Sequence, residues 1–120
     1  MNQAKGGRGI RESFRCAWSG FRYALRTQRN LRLHLGIALL VLAGAAWLRL
    51  PALTVALLVL TIALVVALEL VNTALEALVD LASPDYHPLA RVSKDVAAAA
   101  VLVASLASVL IGILVVATLF

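Results

Sequence analysis

The sequence has little charge and almost no cysteine. Charged residues make up only 14% of the 120 residues, whereas 62% are hydrophobic. That apolar fraction is too high for an ordinary soluble domain and excludes that class. The single cysteine, Cys16, excludes an intrachain disulfide, so no disulfide framework contributes to the fold.

The motifs of common soluble nucleotide-binding and metal sites are also missing. The sequence contains no G-x-x-x-x-G-K-[ST] motif, no glycine-rich loop after a strand, and no cluster of cysteine and histidine. Any nucleotide or metal chemistry must therefore come from other side chains.

Three apolar segments are long enough, or nearly so, to cross a bilayer, which takes about 20 helical residues. They cover about 31–50, 52–82 and 96–120. The first is the weakest prediction, because it carries Arg32 and His34 near its start. The middle segment is longer than a span requires, so we expect its end to emerge from the hydrocarbon. The pattern predicts an all-α membrane protein whose single domain covers residues 1–120.

The segment before these spans has two contrasting faces, which predicts an amphipathic surface helix within residues 1–30. On a helical projection its arginines lie opposite its aromatic and aliphatic residues. A helix with two such faces typically lies in the membrane plane. Binding to nucleic acid or to a partner groove is the alternative, but the spans that follow directly favour the membrane and no nucleic acid. The basic face contains Arg8, Arg11, Arg15, Arg22, Arg26 and Arg29.

The basic residues also predict the orientation. Eight of the eleven lysines and arginines precede Leu33, and Arg91 and Lys94 lie between the second and third spans. Positive residues stay on the cytoplasmic side, so the N-terminus and the 83–95 loop should be cytoplasmic. Leu33–Leu42 followed by Ala43-Gly44-Ala45 resembles a signal peptide, but the region preceding it is too long for one.

Four polar residues at the end of the middle span form a stripe on one helix face. Glu69, Asn72, Glu76 and Asp80 are spaced i, i+3, i+7 and i+11, which places them within an arc of roughly 80°. No charge precedes them from 52 to 68, so the stripe begins at membrane depth, where an ionisable group costs about 2.5–3.5 kcal/mol. Such a stripe indicates function.

The stripe and the start of the third helix together suit phosphoryl transfer. Carboxylate and amide oxygens bind Mg²⁺, which prefers carboxylates, water and substrate phosphates. Lys94 and Asp95 return to the same side of the membrane after the loop. Phosphoryl transfer requires positioning, metal, positive charge and a base near the attacking hydroxyl, and this set could supply all of them.

Structural explanations of the same residues remain open. Glu76 and Asp80 could simply be solvated near the membrane edge, and Asn72 could link two helices. Lys94 could anchor its helix at the headgroups, and Asp95 could be a favourable charge in the first turn of that helix. Acidic stripes also line ion pathways, so a non-enzymatic cation-conducting or assembly protein is the alternative function.

The residues from Glu69 to Val101 resemble a known family. The run E-x-x-N-[ST]-A-x-E-x-x-x-D, then Tyr86-His87, then Lys94-Asp95-Val96, is similar to the bacterial integral-membrane diacylglycerol kinase/undecaprenol kinase family. The resemblance covers nearly the whole chain. It implies a homotrimer in the bacterial inner membrane, with active sites between subunits at the cytoplasmic interface. The implied reaction moves the γ-phosphoryl group of MgATP to the hydroxyl of a membrane lipid.

The resemblance also implies roles for single residues. Glu69 would accept the proton of the lipid hydroxyl, Glu76 would hold Mg²⁺ with the ATP phosphates, and Asn72 and Asp80 would shape the site. The residues implied to contact ATP are Glu76, Asp85, Tyr86, His87, Lys94 and Asp95. Those implied to contact the lipid are Asn30, His34, Trp47, Glu69 and Asn72.

Three positions depart from the family pattern. Gly9 and Cys16 stand where the diacylglycerol kinase branch has an arginine and a tyrosine that contact the nucleotide, and the third position concerns the metal. Where the family usually has a glutamate as second metal ligand, this chain has Gln28, whose amide oxygen can still bind but carries no charge. We therefore expect weaker Mg²⁺ binding. The segment from Arg29 to His34 looks more like the undecaprenol kinase branch than the diacylglycerol kinase branch, which favours undecaprenol as the substrate over diacylglycerol.

Overall fold

The computed structural model describes residues 9–120 as four α-helices joined by short connections, without a strand in that range. The all-α prediction is confirmed, and residues 1–8, which include Arg8 of the predicted basic face, lie outside the described part. The helices are α1 (Ile10–Thr27), α2 (Arg29–Trp47), α3 (Ala52–Ala82) and α4 (Pro88–Leu119). Of these, α2, α3 and α4 are long and apolar enough to cross a membrane.

The break between α1 and α2 lies at Gln28. The sequence pattern predicted one helix carrying the basic face as far as Arg29, but Arg29 instead begins α2. Gln28 is extended (φ −111°, ψ 105°), and its N–H donates to the carbonyl of Ala24 at 2.8 Å. The Arg32 guanidinium donates to the carbonyls of Leu25 (2.6 Å) and Arg26 (3.2 Å). The last carbonyls of a helix have no partner within it, so a cation placed there stabilises the end of α1.

A tight turn joins α2 to α3. The N–H of Leu50 donates to the carbonyl of Ala45 at 3.1 Å, and the N–H of Arg49 donates to that of Ala46 at 3.2 Å. These two bonds form a Schellman motif, which requires a left-handed residue after the helix. Arg49 occupies that position with φ 53°, where glycine is usual. The turn ends α2 at Trp47, before the predicted limit of residue 50.

Helix α4 begins at Pro88, eight residues before the predicted start of the third span at Val96. The His87 side chain caps this helix, because its Nδ1 accepts a hydrogen bond from the N–H of Leu89 at 3.1 Å. Proline is favoured in the first turn because its missing N–H would have no partner there. Asp95 therefore lies about two turns along α4, and the alternative that made it a charge in the first turn of this helix is wrong.

The core lies along a seam of small and aliphatic residues that recur every seven positions. A seven-residue repeat keeps one side of each helix facing its neighbours when helices pack at a shallow angle. The buried polar residues, Glu69 and Thr73, continue this seam at the C-terminal part of α3. The remaining surfaces are mostly exposed and apolar, as expected for helices surrounded by lipid. The apolar seam residues are Ala24, Leu31, Ala38, Ala45, Leu58, Val65, Ala97 and Ala104.

Candidate active site

The polar stripe on α3 becomes steadily more exposed toward the end of the helix. Glu69 is buried, with 5% of its surface accessible. Asn72 and Glu76 are half-buried, and Asp80 is exposed. Since α3 rises 1.5 Å per residue, the stripe extends about 16 Å along the helix. A single face of α3 thus connects a buried carboxylate with the open end of the bundle.

Glu69 meets His34 of α2 inside the bundle. The Nδ1 of His34 lies 2.9 Å from Oε2 of Glu69, and the two side chains are 32% and 6% exposed. Neither atom has another partner among the described residues, and their approach is close without the alignment of a formed hydrogen bond. The Thr73 hydroxyl donates to the carbonyl of Glu69 at 2.8 Å, which is a bond within α3. The Glu69 carboxylate therefore has His34 as its one ionisable neighbour in this part of the chain.

Asn72 and Glu76 form the middle of the stripe. The amide Nδ2 of Asn72 donates to Oε1 of Glu76 at 3.0 Å, whereas Oδ1 of Asn72 is buried and has no partner within residues 9–120. Buried carbonyl oxygens usually accept a hydrogen bond. Because Oδ1 of Asn72 accepts none from the described residues, it is available to a ligand. Residues 9–120 bring together no group of three His, Cys, Asp or Glu side chains that could hold a metal ion by themselves. Any bound ion would therefore need oxygen donors from a substrate as well.

Asp80 is bound by Lys94 across the gap between α3 and α4. The Lys94 ammonium donates to Oδ1 of Asp80 at 2.5 Å, and both side chains keep contact with solvent. The pair lies at one side of a cavity of about 260 Å³ beneath the loop between the two helices. We call it the loop cavity; its polar lining residues are Asp80, Ser83, Asp85, Tyr86, His87, Arg91 and Lys94.

Arg91 is a charged residue of the loop cavity that the sequence analysis did not assign to the site. It lies one turn before Lys94 on α4, and its Nε is 3.5 Å from Oδ2 of Asp95. Asp95 does not line the loop cavity, although it was predicted to contact ATP. The i, i+4 spacing of Arg91 and Asp95 could have indicated their pairing.

Three predicted residues lie away from these groups. Trp47 is at the far end of α2, about 20 Å along the helix from His34, and is 86% exposed. Asn30 lies exposed in the first turn of α2, one turn before His34. Gln28 is half-buried at the break between α1 and α2, with no described side-chain bond to Glu76. A single copy of the chain thus assembles the α3 stripe, His34 and the loop cavity, but not the whole predicted set.

A family model described as prokaryotic diacylglycerol kinase matches residues 15–116, which include every predicted site residue. The chain belongs to this family. It is 52% identical over 101 residues to a diacylglycerol kinase of Synechocystis, covering 83% of this chain and 58% of that protein. It is 38% identical over 104 residues to the undecaprenol kinase of Bacillus subtilis, covering 87% of this chain and 85% of that protein.

The chain is also similar to a diacylglycerol kinase from a third bacterium. The diacylglycerol kinase of Escherichia coli is 36% identical over 94 residues, covering 78% of this chain and 77% of that protein. The family is thus one of bacterial lipid kinases, and this chain is a membrane protein of that family with three helices suited to spanning a bilayer. The chain spans little more than half of the length of the Synechocystis relative.

Proposed function

We propose that the chain is an ATP-dependent kinase that phosphorylates the hydroxyl group of a membrane lipid. The observation that carries this proposal is the α3 stripe. It joins Glu69, a carboxylate buried at membrane depth, to the loop cavity at the end of the bundle. A lipid hydroxyl can approach Glu69 from the bilayer while a nucleotide enters from the aqueous side. The two reactants would then meet along one helix face.

Glu69 is the proposed general base. It is the deepest carboxylate of the stripe, and no lysine or arginine among residues 9–120 forms an ion pair with it. A base must lie within hydrogen-bond reach of the hydroxyl from which it takes the proton. The O–H bond of the lipid breaks, the proton moves to Glu69, and the oxygen attacks the γ-phosphorus as ADP leaves.

Mg²⁺ is the proposed cofactor, bound together with ATP. When bound, the ion would neutralise charge on the β- and γ-phosphate oxygens. The unpartnered Oδ1 of Asn72 and the carboxylate of Glu76 offer oxygen donors on adjacent turns of α3. That set fits Mg²⁺, which is often held by one or two carboxylates with substrate phosphates and water completing its shell. Gln28 is proposed as a further, weaker donor.

The loop cavity is the proposed site for the nucleotide. Lys94 and Arg91 supply positive charge at one side, while Asp85, Tyr86 and His87 form the loop at the other. His87 already uses Nδ1 to cap α4, so it would contact a nucleotide through its backbone or its remaining ring atoms. Asp95 is paired with Arg91, so its effect on the nucleotide would be indirect, through the Arg91 guanidinium.

Undecaprenol is the proposed lipid substrate. An apolar cavity of about 330 Å³ adjoins His34 between α2, α3 and α4 and extends about 10 Å along α2, from His34 to Val41. This cavity can take one isoprenoid chain, and a larger apolar cavity of about 980 Å³ lies between α1 and α3. The similarity of the segment from Arg29 to His34 to the undecaprenol kinase branch favours the single-chain alcohol. Diacylglycerol is the second candidate, favoured by the 52% identity to a protein named diacylglycerol kinase.

The proposed orientation places the loop cavity and α1 on the cytoplasmic side, where ATP is available. It rests on the basic residues of α1 and on Arg91 and Lys94, which follow the positive-inside rule. A homotrimer is proposed by family resemblance, with neighbouring copies completing sites that one chain leaves open.

The test is transfer of labelled γ-phosphate from ATP to undecaprenol and to diacylglycerol in parallel micelle assays with Mg²⁺. Both lipids are presented at equal surface concentration, and we expect undecaprenol to react faster. Glu69→Gln should lower the rate at least about 100-fold, the scale of general-base catalysis, without changing the oligomer size. Glu12→Gln in α1 is the matched control and should retain activity. Labelling of neither lipid by the unmodified chain would contradict the proposal.

A further inference from the structure

His34 and Glu69 form a pair that the sequence spacing did not indicate. They lie on different helices, α2 and α3, yet Nδ1 of His34 is 2.9 Å from Oε2 of Glu69. Both atoms are fully buried and have no other partner among the described residues. A buried carboxylate without a partner is costly, so this approach gives Glu69 its one nearby donor.

The other polar groups around the pair are engaged elsewhere or carry no charge. On α2, the Arg32 guanidinium binds carbonyls of α1. On α3, Asn72 binds Glu76, and the Thr73 hydroxyl binds a backbone carbonyl. On α4, the adjoining apolar cavity is lined by two neutral hydroxyls: Ser108 donates to a backbone carbonyl, and the oxygen of Ser105 has no partner among the described residues. His34 is therefore the group that can orient the Glu69 carboxylate.

The geometry points to His34 as a positioning residue for the proposed base, an inference that rests on the proposed lipid kinase activity. When Nδ1 carries a proton, a rotation of the imidazole from its present unaligned approach lets His34 donate to Oε2 of Glu69. That bond would fix the plane of the carboxylate. The other oxygen, Oε1, then faces the lipid hydroxyl and takes its proton. A base held in one orientation spends more time in the reactive geometry, and a misplacement of about 1 Å can cost about 100-fold in rate.

This role differs from the lipid contact that the family resemblance implies for His34. A residue that only binds the lipid changes the KM for the lipid when it is removed. A residue that acts through Glu69 changes kcat, because its contribution is made in the transition state. The two roles therefore separate in steady-state kinetics.

The kinetic test compares His34→Leu with His34→Asn. Leucine removes the donor, and we expect kcat to fall about 100-fold with little change in the KM for the lipid. Asparagine carries an amide donor close to the position of Nδ1, so we expect it to restore at least about a tenth of kcat. In a Glu69→Gln background, His34→Leu should cause no further loss, since the two residues act as one unit. A rise in KM alone would overturn the inference.

The spectroscopic test does not depend on activity. The chain has two histidines, and His87 serves as an internal reference because it caps α4. In a ¹⁵N-histidine-labelled sample, Glu69→Gln should shift the imidazole nitrogen resonances of His34 and leave those of His87 in place. An unshifted His34 would overturn the pairing. Failure of the unmodified chain to label any lipid would instead overturn the proposed function, while this spectrum still decides whether the two side chains interact.

Discussion

Lys94 on α4 binds Asp80 on α3 at 2.5 Å, although fourteen positions separate them in the sequence. The pair joins the last turn of one spanning helix to the second turn of the next, beside the loop cavity. Because both side chains are solvent-accessible, the pair contributes little to stability, at most about 1 kcal/mol. Its main consequence is to hold a cation at the proposed nucleotide site.

The first prediction concerns Lys94→Met. A charge-assisted hydrogen bond to phosphate is worth about 1.5–3 kcal/mol, so we expect the KM for ATP to rise about 10- to 100-fold. Thermal stability should change little, because the Asp80 pair is exposed. Lys94→Arg keeps the charge and is the matched control, which should retain most of the ATP affinity. An unchanged KM for ATP would place Lys94 outside the nucleotide site.

The second prediction concerns Gln28→Glu at the break between α1 and α2. A carboxylate binds Mg²⁺ more strongly than an amide oxygen, so we expect half-maximal activity at a lower Mg²⁺ concentration. Thr27→Glu adds the same charge one position earlier, inside the last turn of α1, and should not lower the Mg²⁺ requirement. If both variants need as much Mg²⁺ as the unmodified chain, residue 28 does not contact the metal.

The third prediction concerns Arg49 in the turn between α2 and α3. Its φ of 53° is the left-handed region, which costs a residue with a side chain about 1 kcal/mol relative to glycine. Arg49→Gly should therefore raise the free energy of unfolding in detergent by up to about 1 kcal/mol. Leu48→Gly is the matched control at a helical position (φ −81°) and should lower it. Equal effects of the two variants would show that the turn is not strained.

The fourth prediction concerns Arg32, which caps the end of α1. Removing its guanidinium in Arg32→Gln leaves the carbonyls of Leu25 and Arg26 without this donor. We expect the amides in the last turn of α1 to exchange with deuterium about fivefold faster, which corresponds to about 1 kcal/mol of local stability. Arg26→Gln on the exposed face of α1 is the control. Equal exchange in the two variants would argue against the cap.

The helices themselves were predictable because they depend on local pattern. The apolar run before Glu69 and the two prolines of the 83–88 loop predict the bounds of α3 as they are observed, Ala52–Ala82. The start of α4 was predicted too late, because the span was placed by hydrophobicity. Helix formation began earlier, where the His87 cap and Pro88 favour it.

The site was predictable only in part, because the sequence pattern gives positions along one helix but not contacts between helices. The stripe of Glu69, Asn72, Glu76 and Asp80 follows from the period of one helix, so the sequence places these residues on a common face. Their order of burial follows from the depth of α3 in the bundle, which the uncharged run before them indicates. Their partners on other helices do not follow from any spacing along the chain.

By itself, the sequence determined that this chain forms helices, that three of them are suited to a membrane, and that one carries an acidic stripe. Those properties depend on hydrophobicity and on a period of 3.6 residues, which neighbouring residues fix. Only the tertiary structure decided that His34 meets Glu69, that Lys94 meets Asp80 and that Arg32 caps α1. Such contacts depend on how each helix is rotated and offset against the others, and that arrangement is set by the packing of the whole bundle.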